Sequence, residues 1–195
     1  MSQSRPRKRS AEQRRQEFVR AAISLFFEQG VESTTMQQIA KAAGVSYGLF
    51  YHYFRSKEDI LGAAAEQLSI MPLIKEFLSH HDRPLQGRLA ELVSFYLELL
   101  EEHRETVWLI FSESRKRPSL AARLERLGRE SRVSLVAYLE ARRQAGEIRP
   151  DCDLEATARV IWGQLFMKHL WAEADDRPDS FLPVLLKGIL PDDES

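Results

Sequence analysis

The segment YGLFYHYF, residues 47–54, has the side chains whose types and spacing most clearly indicate chemistry. Phe50 and Phe54 are spaced to fill the inner side of a helix. The polar aromatic residues of the segment cannot all be buried with them: Tyr47, Tyr51, His52 and Tyr53. Such groups, with the neighbouring Arg55 and Lys57, donate hydrogen bonds to phosphate oxygens and base edges. The segment therefore predicts a surface that reads nucleic acid, although a tyrosine-rich protein interface would have a similar composition.

Enzymatic chemistry has little support in the sequence. There is no Gly-x-Ser-x-Gly, no glycine-rich phosphate loop and no His-Glu-x-x-His pattern. Cys152, the one cysteine, lies between Asp151 and Asp153, an acidic setting that makes it a poor nucleophile. His80 and His81 are adjacent, so on a helix they diverge instead of chelating one metal. We expect no catalytic residue, no cofactor and no metal site.

Prolines and glycines divide the chain into segments of helical length, and no run has the period of two that strands require. The sequence therefore predicts an all-α fold. Near the N-terminus it predicts helices over 11–29, 35–43 and 46–53, the second opening on a capping box at Thr35 and the third on Ser46. Further helices are expected over 57–71, 73–79, 85–102, 105–115, 119–145, 153–174 and 179–190.

Charge is divided unevenly along the 195 residues. Residues 1–56 contain nine basic and four acidic side chains, and the remainder contains 19 basic and 25 acidic ones. A basic end on an acidic body suggests that this end contacts a polyanion, although a basic arm without function would look the same. No apolar stretch approaches the ~18 residues of a membrane span, and no secretory leader is visible. We expect a cytoplasmic protein without membrane contact.

The helices predicted over 35–43 and 46–53 are joined by a three-residue turn with Gly44, which is the sequence form of a helix-turn-helix. The surrounding stretch from Phe18 to Leu61 resembles the DNA-binding head of the TetR family of bacterial transcriptional regulators. The matching residues are Ala22, Leu25-Phe26, Gly30, Thr34-Thr35, Ile39-Ala40, Ala43-Gly44-Val45-Ser46, Phe50-Tyr51-His52-Tyr53-Phe54 and Lys57-Glu58. The resemblance implies an N-terminal three-helix helix-turn-helix head on a larger helical body for ligand binding and dimerisation.

The resemblance also implies roles for individual residues. Positions that match phosphate contacts are Thr35, Tyr51, Tyr53 and Lys57, and those that match base contacts are Gln37, Ser46, Tyr47, Gly48 and Leu49. His52, on the same exposed surface, is a further expected DNA-binding residue. Gln37 can pair with adenine, and Leu49 can touch a thymine methyl group. Tyr47 stands where a lysine or a small polar residue is frequent in the family, so the preferred base sequence stays open. Phe50 stands where leucine is usual, which varies only the packing.

These observations divide the chain into three parts: a basic flexible arm over 1–10, a DNA-binding head over 11–56 and a body over 57–195. The arginines of the arm can add nonspecific or minor-groove contacts, or they form a purely solvated tail. The helix that opens at Ser56 belongs to both head and body by its pattern. We expect it to act as a stiff lever between them.

The last two long helices of the body have apolar residues on two faces, which a surface helix of a monomer does not need. A four-helix bundle formed by two subunits would bury both faces. The expected interface residues are Val160, Gly163, Met167, Leu170, Trp171, Leu182, Leu185, Leu186 and Ile189. The alternative is full burial of these side chains in the core of one protomer.

Aromatic side chains on separate body helices could line a cavity for a small molecule. The candidates are Phe95, Trp108, Phe111, Trp162, Phe166 and His169. Side chains of these types are more often plain core. His169 is the best polar candidate, although a structural histidine is the commoner role.

Together, the residues and the resemblance predict a ligand-responsive DNA-binding regulator. Its simplest form is a repressor that a small apolar or amphipathic molecule releases from palindromic operator DNA. The expected partners are double-stranded DNA, a small-molecule effector and a second copy of the chain. A helical adaptor that binds a protein through the tyrosine-rich helix is the alternative.

Overall fold

A computed structural model of the chain describes residues 10–69, 83–170 and 181–191. Their regular structure is helical throughout, which confirms the all-α prediction. These ranges contain nine helices: α1 (Ala11–Gln29), α2 (Met36–Ala42), α3 (Tyr47–Tyr53), α4 (Lys57–Gln67), α5 (Leu85–Glu102), α6 (Arg104–Ser114), α7 (Pro118–Gln144), α8 (Leu154–Leu170) and α9 (Leu182–Ile189). The helix expected over 73–79 and all but the last residue of the basic arm lie outside the described ranges.

Capping side chains set where the first four helices begin, and at three of them the cap is reciprocal. Ser10, Thr35 and Ser56 each accept a hydrogen bond from the backbone N–H three residues later. In each case the backbone N–H of the cap donates in return to the side chain at that third position. These reciprocal bonds satisfy donors that have no partner inside the helix, so the starts agree with the capping pattern of the sequence.

The core of the head is built by α1, α2, α3 and α4 together. Phe18 on α1 packs against Phe50 on α3, with ring centroids 5.2 Å apart. Ile39 on α2 and Ile60 on α4 are fully buried in the same cluster. Because large apolar side chains contribute most when fully buried, this cluster fixes α3 relative to α4. A displacement of α4 therefore disturbs the packing of α3.

The turn between α2 and α3 depends on Gly44, whose φ is 68°. The Gly44 N–H donates to the Lys41 carbonyl at 3.1 Å, and the Val45 N–H donates to the Ala40 carbonyl at 3.0 Å. These are the paired bonds of a Schellman motif. A side chain in this left-handed conformation costs about 1–2 kcal/mol. We expect Gly44→Ala to lower the free energy of unfolding in urea by about that amount.

Gly48 provides the matched control for this substitution. It lies inside α3, and no atom lies within 4 Å of where its Cβ would be. Alanine is the better helix former, so Gly48→Ala should raise the free energy of unfolding by roughly 0.5–1 kcal/mol. A loss of stability in both variants, or in neither, would contradict a special requirement for glycine at the turn.

The body has a second core, formed mainly by α5, α7, α8 and α9. Leu89 and Val93 on α5, Leu139 on α7 and Ile161 on α8 are completely buried in one cluster. The longest helix in the described ranges is α7, with 27 residues. No helix in the described ranges is long and apolar enough to cross a membrane.

One apolar stripe of α9 corrects part of the expected subunit interface. Leu182, Leu186 and Ile189 lie at i, i+4 and i+7, so they share one face of the helix. All three are buried in the core of the body. A side chain that its own protomer already covers has no surface left for a partner, so these three residues are core residues. The same helix exposes Val184 by 76%.

The other residues expected at a subunit interface have mixed surroundings. Val160 on α8 is 46% exposed, and Leu185 on α9 is half-buried. Gly163 lines a cavity that is described below. Outside the described part of the chain lie Trp171 and the side chains of Met167 and Leu170. The interface prediction stays open at these positions.

Helix α4, which belongs to both head and body, is shorter than predicted: it ends at Gln67 and not at residue 71. It packs against α1 on one side and against α6 and α7 on the other. Near its end, Glu66 accepts hydrogen bonds from Arg15 of α1 at 3.5 Å and from Arg123 of α7 at 3.2 Å. One carboxylate thus connects α4 to both the head and the body.

A second ionic cluster, the Arg117 cluster, joins head and body just before α7. The Arg117 guanidinium contacts Glu113 on α6, Glu32 in the loop between α1 and α2, and Glu58 in the first turn of α4. The Arg117 and Glu113 side chains are only 10% and 8% exposed. Salt and water screen a buried charge pair weakly, so the Arg117–Glu113 pair holds the start of α7 firmly to α6. Glu32 and Glu58 are 79% and 51% exposed, so their contacts with the same guanidinium are surface ion pairs.

Candidate functional site

The orientation of α3 is set by its ends and by its inner face. Ser46 accepts a hydrogen bond from the Leu49 N–H at 3.3 Å, which fixes the start of the helix. Phe50 and Phe54 are buried on the inner side, with ring centroids 5.9 Å apart. Arg15 of α1 places its guanidinium over the Phe54 ring at 5.3 Å. The side chains of Tyr47, Leu49, Tyr51 and His52 are therefore held outward.

The outward face of α3 presents a tyrosine row, formed by Tyr47, Tyr51 and Arg55. The two tyrosines are 44% and 40% exposed, with ring centroids 5.7 Å apart. The Arg55 guanidinium lies 5.5 Å from the centroid of the Tyr51 ring, a cation–π contact. Within the described ranges neither hydroxyl has a hydrogen-bond partner. Two phenols and one cation are therefore available to an external acceptor, and His52 is exposed beside them.

Gln37 on α2 and Leu49 on α3 are also exposed, as base contacts would require. Thr35 has a structural task, because its hydroxyl accepts from the Gln38 N–H at 3.2 Å. The same hydroxyl donates to Gln38 Oε1 at 3.0 Å, so its one O–H is engaged, and a phosphate contact by Thr35 would have to replace this bond. Gly48 has open space where a Cβ would lie, which permits close approach of another molecule to the backbone.

Two of the expected phosphate-binding side chains also serve the head itself. Lys57 donates from Nζ to the carbonyls of Val31 and Glu32, at 2.6 and 3.1 Å. Tyr53 is half-buried, and its ring meets that of Phe18 edge-on at 5.2 Å. An ammonium group has three N–H donors, so Lys57 retains one. Any phosphate contact by Lys57 would use this remaining donor.

A cavity of about 390 Å³ lies in the body beside α4. Its lining comes from α4, α5, α6, α7 and α8 and is mostly apolar. Phe111 and Trp162, two of the expected aromatic residues, are part of this lining. The side chains of Phe166 and His169 lie outside the described part of the chain. The volume falls in the range of small-molecule sites, roughly 300–1,000 Å³.

Phe95 and Trp108 do not line this cavity, which corrects the expectation for them. They are 50% and 55% exposed. Their neighbours Tyr96 and Val107 line the wall instead. Consecutive residues on a helix point about 100° apart, and in these two pairs the rotation turns Phe95 and Trp108 towards solvent.

Tyr96 is a polar residue of the cavity wall that sequence reasoning missed. Its ring stacks on Trp162, with centroids 6.3 Å apart, and its hydroxyl donates to the Leu68 carbonyl at 3.3 Å. Burial raises the pKa of the Tyr96 phenol far above its ordinary value, so the group stays neutral and remains a donor. Tyr96 follows Leu89 and Val93 at helical spacing, and this spacing is the signal that identifies its buried face.

Metal chemistry has no visible site in the described ranges, where no group of three or more His, Cys, Asp or Glu side chains is arranged to hold an ion. Two features of the described ranges are candidates for a functional site. One is the exposed row of phenols and a cation on a short, rigidly held helix. The other is an apolar cavity whose wall includes the end of α4.

Known proteins resemble the chain along most of its length. Residues 18–64 match the family described as bacterial regulatory proteins, tetR family. The chain is 27% identical over 187 residues to the HTH-type transcriptional repressor KstR2 of Mycolicibacterium smegmatis, with 90% of each chain covered. It is 28% identical over 191 residues to the HTH-type transcriptional regulator UidR of Escherichia coli, covering 92% of this chain and 94% of that one.

The fold agrees with these likenesses. The structure of Salmonella enterica GusR matches with a TM-score of 0.70 and 27% identity, covering 93% of this chain and 96% of that one. Residues 18–64 include α2, α3 and the turn at Gly44, which are the elements of the helix-turn-helix. The chain belongs to the TetR family of bacterial regulatory proteins and is a DNA-binding transcriptional regulator.

Proposed function

We propose that the chain is a homodimeric repressor that binds palindromic operator DNA and releases it when a small apolar or amphipathic molecule enters the cavity. Residues 11–56 read the DNA, residues 57–195 bind the effector and the second subunit, and the basic residues of 1–10 add contacts to DNA. The observation that carries this proposal is the position of the cavity. One of its walls is the end of α4, and the same helix packs in the core of the head.

The outward face of α3 suits a recognition helix in the major groove. The Tyr51 hydroxyl and the Arg55 guanidinium fit phosphate oxygens, which fix register, and Tyr47 stands at a position that matches a base contact. Gln37 and Leu49 fit base edges, which specify sequence. A homodimer presents two copies of α3 related by a two-fold axis, so it favours an inverted repeat with half-sites about one helical turn apart, or a multiple of it.

Effector control is supported by the contacts of α4. Ala65 and Leu68 line the cavity, while Ile60 and Leu61 of the same helix are buried in the core of the head. A ligand against Leu68 or Tyr96 acts directly on the end of α4. A preference of about 1–3 kcal/mol for one position of α4 would change DNA affinity by about 5- to 150-fold.

Dimerisation and repression have separate support. Val160 on α8 and Val184 on α9 leave apolar surface that a second subunit would cover. KstR2 of Mycolicibacterium smegmatis, which resembles the chain over 90% of its length, is named a transcriptional repressor. A homodimeric repressor would account for both observations.

Selection from random duplexes tests the proposed function. The purified full chain is mixed with duplexes of random sequence, and the retained fraction is sequenced. We expect an inverted repeat whose half-sites are about 10 base pairs apart, or a multiple of that, centre to centre. Enrichment of an unrepeated half-site would argue against the homodimer. No enrichment at all would favour the adaptor interpretation of the tyrosine-rich helix.

Tyr51→Phe removes one exposed hydroxyl and keeps the ring beneath Arg55. We expect DNA affinity to fall about fivefold, because a net hydrogen bond is worth about 1 kcal/mol. The fall should be the same for a selected duplex and for a scrambled one, since phosphate contacts position without specifying. Fluorescence anisotropy on both duplexes measures it.

Gln37→Ala is the matched contrast on the same two duplexes. It should lower affinity for the selected duplex by about 1–3 kcal/mol and leave affinity for the scrambled duplex nearly unchanged, because a base contact specifies. The assignment of roles fails if Gln37→Ala weakens both duplexes equally. It also fails if the effect of Tyr51→Phe is confined to the selected duplex.

A further inference from the structure

We infer that the cavity accepts an amphipathic molecule with a single compact oxyanion as its head group, and that Arg132 and Trp162 bind this head. The inference rests on the proposed function, because it specifies the chemical class of the effector for the same cavity. Two observations support it: the positions of the hydrogen-bond donors and charged side chains in the cavity wall, and which of these groups already have a partner within the protein.

Two N–H groups converge beside Gly128 on α7. A Cβ at Gly128 would lie 3.5 Å from Trp162 Nε1 and 3.7 Å from Arg132 Nη1. Both nitrogens therefore border the same small volume, next to a residue with no side chain to fill it. All three residues belong to the lining of the cavity. Within the described ranges neither nitrogen has an acceptor.

The other polar groups on this part of α7 are already engaged. Glu125, the other charged side chain in the described lining, accepts a hydrogen bond from Arg129 at 2.7 Å. The Ser131 hydroxyl donates to the Leu127 carbonyl at 2.8 Å. Arg132 is therefore the uncompensated cation of the described wall, and the pair of donors over Gly128 carries a net positive charge.

The rest of the cavity wall is apolar, so it favours a ligand whose remaining part is apolar. Ile110 and Phe111 on α6 and Leu124 on α7 present apolar surface, and the Trp162 ring is held by its stacking on Tyr96. A guanidinium beside such surface attracts an oxyanion more strongly than it does in bulk water. One guanidinium and one indole N–H provide enough donors to bind a single anionic head group. The described wall has no second cation for a polyanion.

Calorimetric titration of the full chain tests the inference with probes that differ only in the head group. One pair is decanoate and decanamide, and the other is 1-naphthaleneacetate and 1-naphthaleneacetamide. Because a charge-assisted hydrogen bond is stronger than a neutral one, we expect each carboxylate to bind about tenfold or more tightly than its amide. Decyl phosphate is the fifth probe. Tighter binding than decanoate assigns a phosphate head group, and weaker binding assigns a carboxylate.

Arg132→Gln removes the charge and keeps a polar side chain. It should lower the affinity for the carboxylates about tenfold and leave the affinity for the amides within about threefold. Arg126→Gln is the matched control, since Arg126 is exposed on the same helix and does not line the cavity. Trp162→Phe removes the indole donor and keeps a ring, and should weaken carboxylate binding about fivefold.

Equal affinities for carboxylate and amide would overturn the inference, as would the absence of heat from all five probes. A carboxylate preference that survives in Arg132→Gln would also overturn it. DNA binding by the ligand-free chain, measured separately on a selected duplex, keeps this result apart from the proposed function. A chain that binds an inverted repeat but does not discriminate between the head groups retains the function and loses only this inference.

Discussion

Replacing Phe50 by alanine is expected to lower the free energy of unfolding by about 3–5 kcal/mol and to abolish DNA binding. The Phe50 side chain is fully buried, and its ring contacts those of Phe18 and Phe54 at 5.2 and 5.9 Å. Alanine leaves a void among four helices that cannot close without moving α3. Urea unfolding measures the first effect, and fluorescence anisotropy with a selected duplex measures the second.

Leu49→Ala is the matched control for Phe50→Ala, because it shortens the adjacent side chain of the same helix. Leu49 is 36% exposed and faces outward. Its truncation should change the free energy of unfolding by less than about 0.5 kcal/mol. Similar stabilities of the two variants, with DNA binding kept in Phe50→Ala, would show that the aromatic inner face does not position α3.

Arg117→Met should have the second largest effect, lowering the free energy of unfolding by about 2–3 kcal/mol. Methionine keeps much of the apolar stem and removes the charge that contacts Glu113, Glu32 and Glu58. Among the described residues, the buried Glu113 carboxylate then retains Lys116 as its one cationic partner, at 2.9 Å. Loss of a partner in a buried ion pair costs up to about 5 kcal/mol, and the remaining lysine reduces that cost.

Arg129→Met, on the helix that follows Arg117, is the control for Arg117→Met. The pair of Arg129 and Glu125 is exposed, at 64% and 70%, so its loss should cost less than about 1 kcal/mol. Thermal unfolding of both variants measures the difference. If the two substitutions cost the same, burial of the Arg117–Glu113 pair does not make it more stabilising than an exposed pair.

Local signals in the sequence were sufficient to predict the helices of the head. The caps at Thr35, Ser46 and Ser56 and the turn at Gly44 each act through bonds to residues at most five positions away. Such contacts depend on residue type and spacing alone. The positions of α1, α2 and α3 therefore follow from the sequence within one residue, and so does the outward placement of the row that begins at Tyr47.

Long-range contacts set the limits of prediction in the body. Arg117 and Glu32 are 85 residues apart, and no spacing rule pairs them. The spacing of Leu89 and Val93 places Tyr96 rather than Phe95 on the buried face of α5, but only the packing of the other helices shows that this face borders a cavity. The end of α4 at Gln67 has no glycine or proline to mark it. From the sequence alone, the apolar stripe of α9 is compatible with a subunit interface and with the core of one protomer. Only the helices that pack against α9 decide between the two.

The central claim is that occupation of the cavity and binding of DNA oppose each other through α4. A thermal-shift screen of small molecules supplies a ligand, because a molecule that binds the folded chain raises its stability. The decisive measurement titrates a selected duplex with the chain at rising ligand concentrations, and titrates the ligand with and without the duplex. Both affinities should fall by the same factor, about 5- to 150-fold. An unchanged DNA affinity at saturating ligand would contradict the claim.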